Sequence, residues 1–84
     1  MSARYRAQIL AQIRDGKRFW SSSERGNDFD VFRSEVVEPL RQLKYAGVIR
    51  ALSETESIVA GRERITGVEI IGGIKMSPEA EEAA

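Results

Sequence analysis

The chain has 84 residues, with 13 lysines plus arginines against 13 aspartates plus glutamates, and contains neither cysteine nor histidine. A chain this size hides only about 60–65% of its unfolded surface, enough for one core. Without Cys or His, disulfide staples, zinc fingers, thiol or imidazole nucleophiles and Ser-His-Asp triads are excluded. Apolar runs stop at two or three residues, far short of the roughly 20 that a membrane-crossing helix needs. The start, MSARYRAQIL, lacks the apolar stretch of a secretory signal. The expectation is a soluble, cytoplasmic domain that needs no cofactor or metal.

Neutrality hides a polarity. Residues 1–50 carry ten basic and six acidic side chains, and residues 51–84 carry three basic and seven acidic. Three of those seven, Glu79, Glu81 and Glu82, lie in the closing SPEAEEAA. This divides the chain into a domain over 1–75, with a charge of +3, and an acidic tail over 76–84. An excess of that size marks either an electropositive face or ordinary solvated surface. The tail has no apolar anchor and is expected to be disordered or a frayed helix.

In chain order, residues 3–15 repeat Tyr5, Ile9 and Ile13 every four positions, widened by Ala7, Leu10 and Ala11, and predict a helix. Ser2 suits its N-cap and Gly16 its left-handed C-cap. Residues 17–20, KRFW, read as a short strand or an extended stretch pinned by its rings, with Trp20 either in the core or an exposed anchor. SSSERGND reads as a mobile polar loop.

Residues 28–47 are helical in character, with Asp28 or Asp30 at the start and Gly47 at the end, yet Pro39 sits near the middle. A proline inside a straight helix costs roughly 3 kcal/mol and disfavours helical angles at its predecessor. Two pieces are therefore expected: a short helix near 29–33 with a turn at Ser34, or a break at Glu38 with Pro39 opening the second helix. Either way Val36, Leu40, Leu43 and Ala46 face the core, together with Tyr5, Phe29 and Phe32. Arg41, Tyr45 and, if helical, Ser34 and Glu38 face away.

Residues 48–53 and 64–74 are rich in β-branched side chains and predict an antiparallel hairpin with Gly61 at its tip. The parity of Ile65 differs from that of Val68 and Ile70, which points to a bulge at Gly67. Ile58-Val59 reads as strand or as apolar tip.

The stretch SEVVEPLRQLKYAGVIRAL (34–52), with leucines three apart and an AlaGlyValIleArg exit at 46–50, resembles the second half of a winged helix-turn-helix domain. The resemblance implies a mainly α fold with a β-hairpin (α+β): three helices and a C-terminal two-stranded wing. It also implies a function, double-stranded DNA binding by a transcriptional regulator or a phage- or plasmid-type accessory protein, acting as a homodimer on two half-sites. On that resemblance Ser34, Arg41, Gln42 and Tyr45 face the major groove, where Arg suits guanine and Gln suits adenine. Arg62 and Arg64 at the wing tip, with Arg4, Arg6, Lys17 and Arg18, meet phosphates.

Glu35, Glu38 and Pro39 depart from that pattern, since a carboxylate at the groove-entering end is repelled by phosphate. The Glu35/Glu38 and Asp28/Asp30 pairs serve better as caps and surface than as acid–base groups in a chain too short for a cleft, so no enzyme is expected. Gly72-Gly73 opens no dinucleotide fingerprint. The competing expectation is a protein-interaction module anchored by Trp20, Tyr45 or Ile71/Ile74. A single positive face joining the wing tip, the start of the first helix and Arg41 would separate the two.

Overall fold

The computed structural model describes residues 3–83. Helix α1 (Ala3–Arg14) buries Ile9, Leu10 and Ile13 and ends where Gly16, at φ 101°, turns the chain left-handed. There Gly16 N donates to Ile13 O and Lys17 N to Gln12 O, satisfying carbonyls that the helix end leaves open. The proposed Ser2 cap lies outside the described residues.

Strand β1 (Phe19–Ser21) follows, and its Trp20 is fully buried with the indole Nε1 donating to Gln12 Oε1 at 2.8 Å. The aromatic segment is thus a strand, and Trp20 belongs to the core. What reads as a mobile loop contains a 3₁₀ turn (Ser22–Arg25). Ser21 Oγ accepts from Ser23 N, while Ser21 N donates to Glu24 Oε2 at 2.9 Å. These reciprocal bonds settle the backbone donors that begin a helical turn.

Neither expected break occurs in residues 29–45. Helix α2 (Phe29–Phe32), capped by Asp28 Oδ1 accepting from Val31 N, runs through a π stretch (Arg33–Val37) into α3 (Glu38–Tyr45). Ser34 makes no turn, and both Phe32 and Glu38 keep right-handed helical angles. The π stretch explains how Pro39 is accommodated. Glu38 N bonds Arg33 O, five residues back, so the turn beneath the proline ring holds one more residue than an α turn. That widening relieves the ring's clash with the preceding carbonyl. Pro39 itself is buried near the start of α3.

Gly47, at φ 84°, ends α3 as expected, and Val48 and Ile49 drop fully into the core. Strands β2 (Ile49–Val59) and β3 (Arg62–Ile74) form the hairpin, both longer than the sequence suggests, so Ile58 and Val59 are strand. β3 also pairs with β1, through Trp20↔Val68, so the sheet has three antiparallel strands in the order β1-β3-β2, not two. The register slips between Thr55↔Gly67 and Glu56↔Ile65, which leaves Thr66 as the bulged residue beside the predicted Gly67. A second slip, from Ile49↔Ile74 to Ala51↔Ile71, is taken up at Gly72 and Gly73, whose φ values of 71° and 82° favour glycine.

The helices cover one sheet face. Phe32, Val36, Val37, Leu40 and Leu43 pack there with Ile9, Ile13, Trp20, Val68 and Ile70. Tyr5 and Phe29 are only half-buried, because each ring lies at the margin beneath a guanidinium, Arg4 over Tyr5 and Arg64 over Phe29. The tail takes the helical alternative as α4 (Pro78–Ala83), which packs on α1. Among the described residues no helix is long and apolar enough to cross a membrane. The architecture is a small α+β one.

Candidate functional site

Successive turns of α3 place Glu38, Arg41, Gln42 and Tyr45 on one outward face. The π stretch brings Arg33 above Glu38, at 3.9 Å. Arg41 reaches the sheet, where its Nε donates to Glu54 Oε2 at 2.8 Å and its Nη2 to Glu54 Oε1 at 2.6 Å, with Glu38 3.8 Å from Nη1. Arg33, Glu38, Arg41 and Glu54 therefore alternate in sign across the helix and the β2 edge. Ser34 is exposed and its hydroxyl donates to Val31 O at 3.2 Å. Gln42 is half-buried, and Tyr45 is 84% exposed at the helix end. Arg33 and Glu54 are members of this face that the sequence did not single out. The helical spacing of Arg33 to Glu38 misleads once a turn is widened, and Glu54 depends on strand register.

The hairpin contributes Arg62 and Arg64. Arg62 flanks the turn and has no ion-pair partner among the described residues. Arg64 reaches back to α2, 3.3 Å from Asp30 and 5.7 Å over the Phe29 ring. With Arg33, Glu63 and Ile65 these residues line a shallow cavity of about 90 Å³.

The other four candidates lie on α1 or just beyond it. Lys17 pairs with Glu24 at 2.6 Å and sits 5.7 Å from the centre of the Trp20 ring. Arg18 Nη1 donates at 2.9 Å to both Ile13 O and Lys17 O, so its charge closes the end of α1. These two precede β1, at one edge of the sheet, whereas Arg41 engages β2 at the other, with β3 between. Arg4 lies over Tyr5, and Arg6 pairs with Glu81 of α4. The structure thus brings Arg41, Gln42 and Tyr45 together on one face of α3, leaves Ser34 further back on the π stretch, ties Arg64 to the start of the same helical run, and sets the α1 cations apart from them.

Hydrogen bonding from Arg41 holds the Glu54 carboxyl below its ordinary range, against partial burial, with the charges of Arg41, Lys44 and Arg33 assisting. For Glu24, burial opposes ionisation but is outweighed by hydrogen bonds from Lys17 and the Ser21 backbone and by the charges of Lys17 and Arg25, so its carboxyl is also lowered. Among the described residues no acidic cluster could hold a metal ion. Comparison of the chain with protein-family models, with curated proteins and with solved structures returned no match.

Proposed function

We propose that this chain is a cytoplasmic winged-helix protein that binds double-stranded DNA as a homodimer, in the role of a small transcriptional regulator or a phage- or plasmid-type accessory protein. The observation that carries the reading is the polar outward face of the helical run 29–45, set beside a long hairpin whose turn is flanked by Arg62, which has no ion-pair partner among the described residues. The coarse order, a helix and a second helical run followed by a hairpin, is what supports the resemblance, while the third strand and the unbroken run 29–45 depart from it. In this reading Ser34, Arg41, Gln42 and Tyr45, joined by Arg33, enter the major groove, and Arg62 and Arg64 meet phosphates. The ion pairs on this face do not oppose it. A partly exposed pair is worth on the order of 1 kcal/mol, which contacts to base edges or phosphates can replace.

The experiment is retardation of random duplexes at two ionic strengths. With four to six phosphate contacts the slope of log affinity against log salt is about −4 to −5. Charge reversal at Arg62 and Arg64 abolishes binding and leaves the association state unchanged. Absence of binding at low salt, or binding indifferent to salt, ends the proposal.

A second reading, a protein-interaction module, is favoured by the separation of the α1 cations from Arg41 and the hairpin turn, which leaves no single positive face among the described residues, and by two further observations. Most candidate cations are already matched by carboxylates, and the uncovered sheet face leaves Phe19 51% and Ile71 43% exposed. Salt-insensitive self-association, weakened by Phe19→Ser and Ile71→Ser, is the result that would select it.

A further inference from the structure

On α1, positions 6, 10 and 14 fall on one side, each about one turn from the next. Leu10 is 4% exposed, and Arg6 and Arg14 flank it. Arg6 pairs with Glu81 and Arg14 with Glu82, adjacent residues of α4. Two arginines about 12 Å apart along their helix thus converge on neighbouring carboxylates, which places α4 across the middle of α1. The Glu81 side chain is only 14% exposed, so its carboxylate is held within the contact.

We infer that Arg6 and Arg14 form a two-point site for DNA backbone phosphates, and that the tail carboxylates occupy it in the free protein. This rests on the DNA-binding reading above and adds Arg6 and Arg14 to its phosphate contacts. The chemistry of the site is shown by what fills it: two anionic oxygen acceptors side by side, which successive phosphates also supply. The occupant is built to leave. Helix α4 has six residues, PEAEEA, too few to persist alone and without a large apolar side chain to hold it. Its hold on the arginines is ionic and is screened by salt. The tail is therefore an intramolecular competitor whose short tether keeps it at high local concentration. DNA that reaches this site exchanges one set of anions for another and gains little from ion release there.

The test compares a fluorescent random-sequence duplex bound by the full chain, by a chain ending at Met76, and by the Glu81→Gln/Glu82→Gln variant. The last two are expected to bind several-fold more tightly at low salt, with a slope steeper by about 1–2. Glu79→Gln, which removes equal charge per residue from a carboxylate with no arginine partner among the described residues, is expected to change the slope by less than half as much as either partner does. In the shortened chain, Arg6→Gln/Arg14→Gln returns the slope to that of the full chain. If the full chain binds and neither tail change alters its slope, this inference fails while the DNA reading stands. If Glu79→Gln matches the effect of Glu81→Gln or Glu82→Gln singly, bulk charge is the cause and the site is overturned. If no form binds duplex at low salt, both proposals fall.

Discussion

Arg41 and Glu54 are joined by two parallel hydrogen bonds, at 2.8 and 2.6 Å, that tie the outward face of α3 to the β2 edge. The pair is partly buried, and planar, two-point pairing of this kind is a strong form of ion pair. It makes Arg41 both a strut between helix and sheet and the best-placed guanidinium for a partner.

A double-mutant cycle between Arg41→Ala and Glu54→Ala, read from urea unfolding, is expected to give a coupling of about 1 kcal/mol. Glu54→Gln frees Arg41 without removing it. Under the proposed function that variant binds duplex more tightly than the parent while losing a little stability. Weaker binding would show that the strut, and not a released guanidinium, is what the partner requires.

The depressed Glu54 carboxyl sets a pH dependence with a definite sign. A carboxyl lowered by folding stabilises the native state above its ordinary value of 4.5 and ceases to do so as the pH falls through the lowered one. Glu24 acts in the same direction. Unfolding measured at about pH 7 and about pH 3 is expected to show a smaller acid-induced loss for Glu54→Gln than for the parent. Equal losses would mean that the pair does not persist in solution.

The single tryptophan reports on the core. Its ring is fully buried and its N–H is spent on Gln12. Trp20→Ala is expected to cost about 3–5 kcal/mol, and Gln12→Ala, which orphans the indole donor, about 1–2 kcal/mol. Tryptophan emission during urea unfolding measures the second directly, and circular dichroism measures the first.

Ala60 and Gly61 form a two-residue turn in which both φ values are positive, at 51° and 77°. Glycine adopts this freely, but alanine is strained there. Ala60→Asn is expected to raise stability by about 0.5–1 kcal/mol, and Ala60→Val to lower it. Thermal unfolding of the two variants checks both signs.

What the sequence made readable were features decided by near neighbours. Gly16 and Gly47 end helices where they stand, Gly61 turns the hairpin, and the change of parity at Gly67 falls beside the observed bulge at Thr66. The α3 face was readable as well, because helical spacing alone assembles Arg41, Gln42 and Tyr45. Pro39 misled, because local rules offer only a break. The continuous alternative depends on Val36, Val37 and Pro39 all being drawn into a core supplied by other elements. The third strand required Trp20 to find Val68, and the tail helix required Glu81 to find Arg6, partners whose spacing no local pattern encodes. Glu54 escaped notice for the same reason, and Arg33 because the widened turn shifts the helical spacing that would pair it with Glu38.

Eleven residues of β2 extend roughly 36 Å, so the hairpin sets most of the 42 Å long dimension of the molecule. Beyond Thr66 its pairs run from Glu56↔Ile65 to Val59↔Arg62, and its arms are moored to the helices through Arg64 and Ile65. Only the last two pairs, Ile58↔Glu63 and Val59↔Arg62, lie beyond these moorings. Two residues added to each arm there preserve the alternation of the two faces, so the reach of the molecule can grow without any rearrangement of its interior.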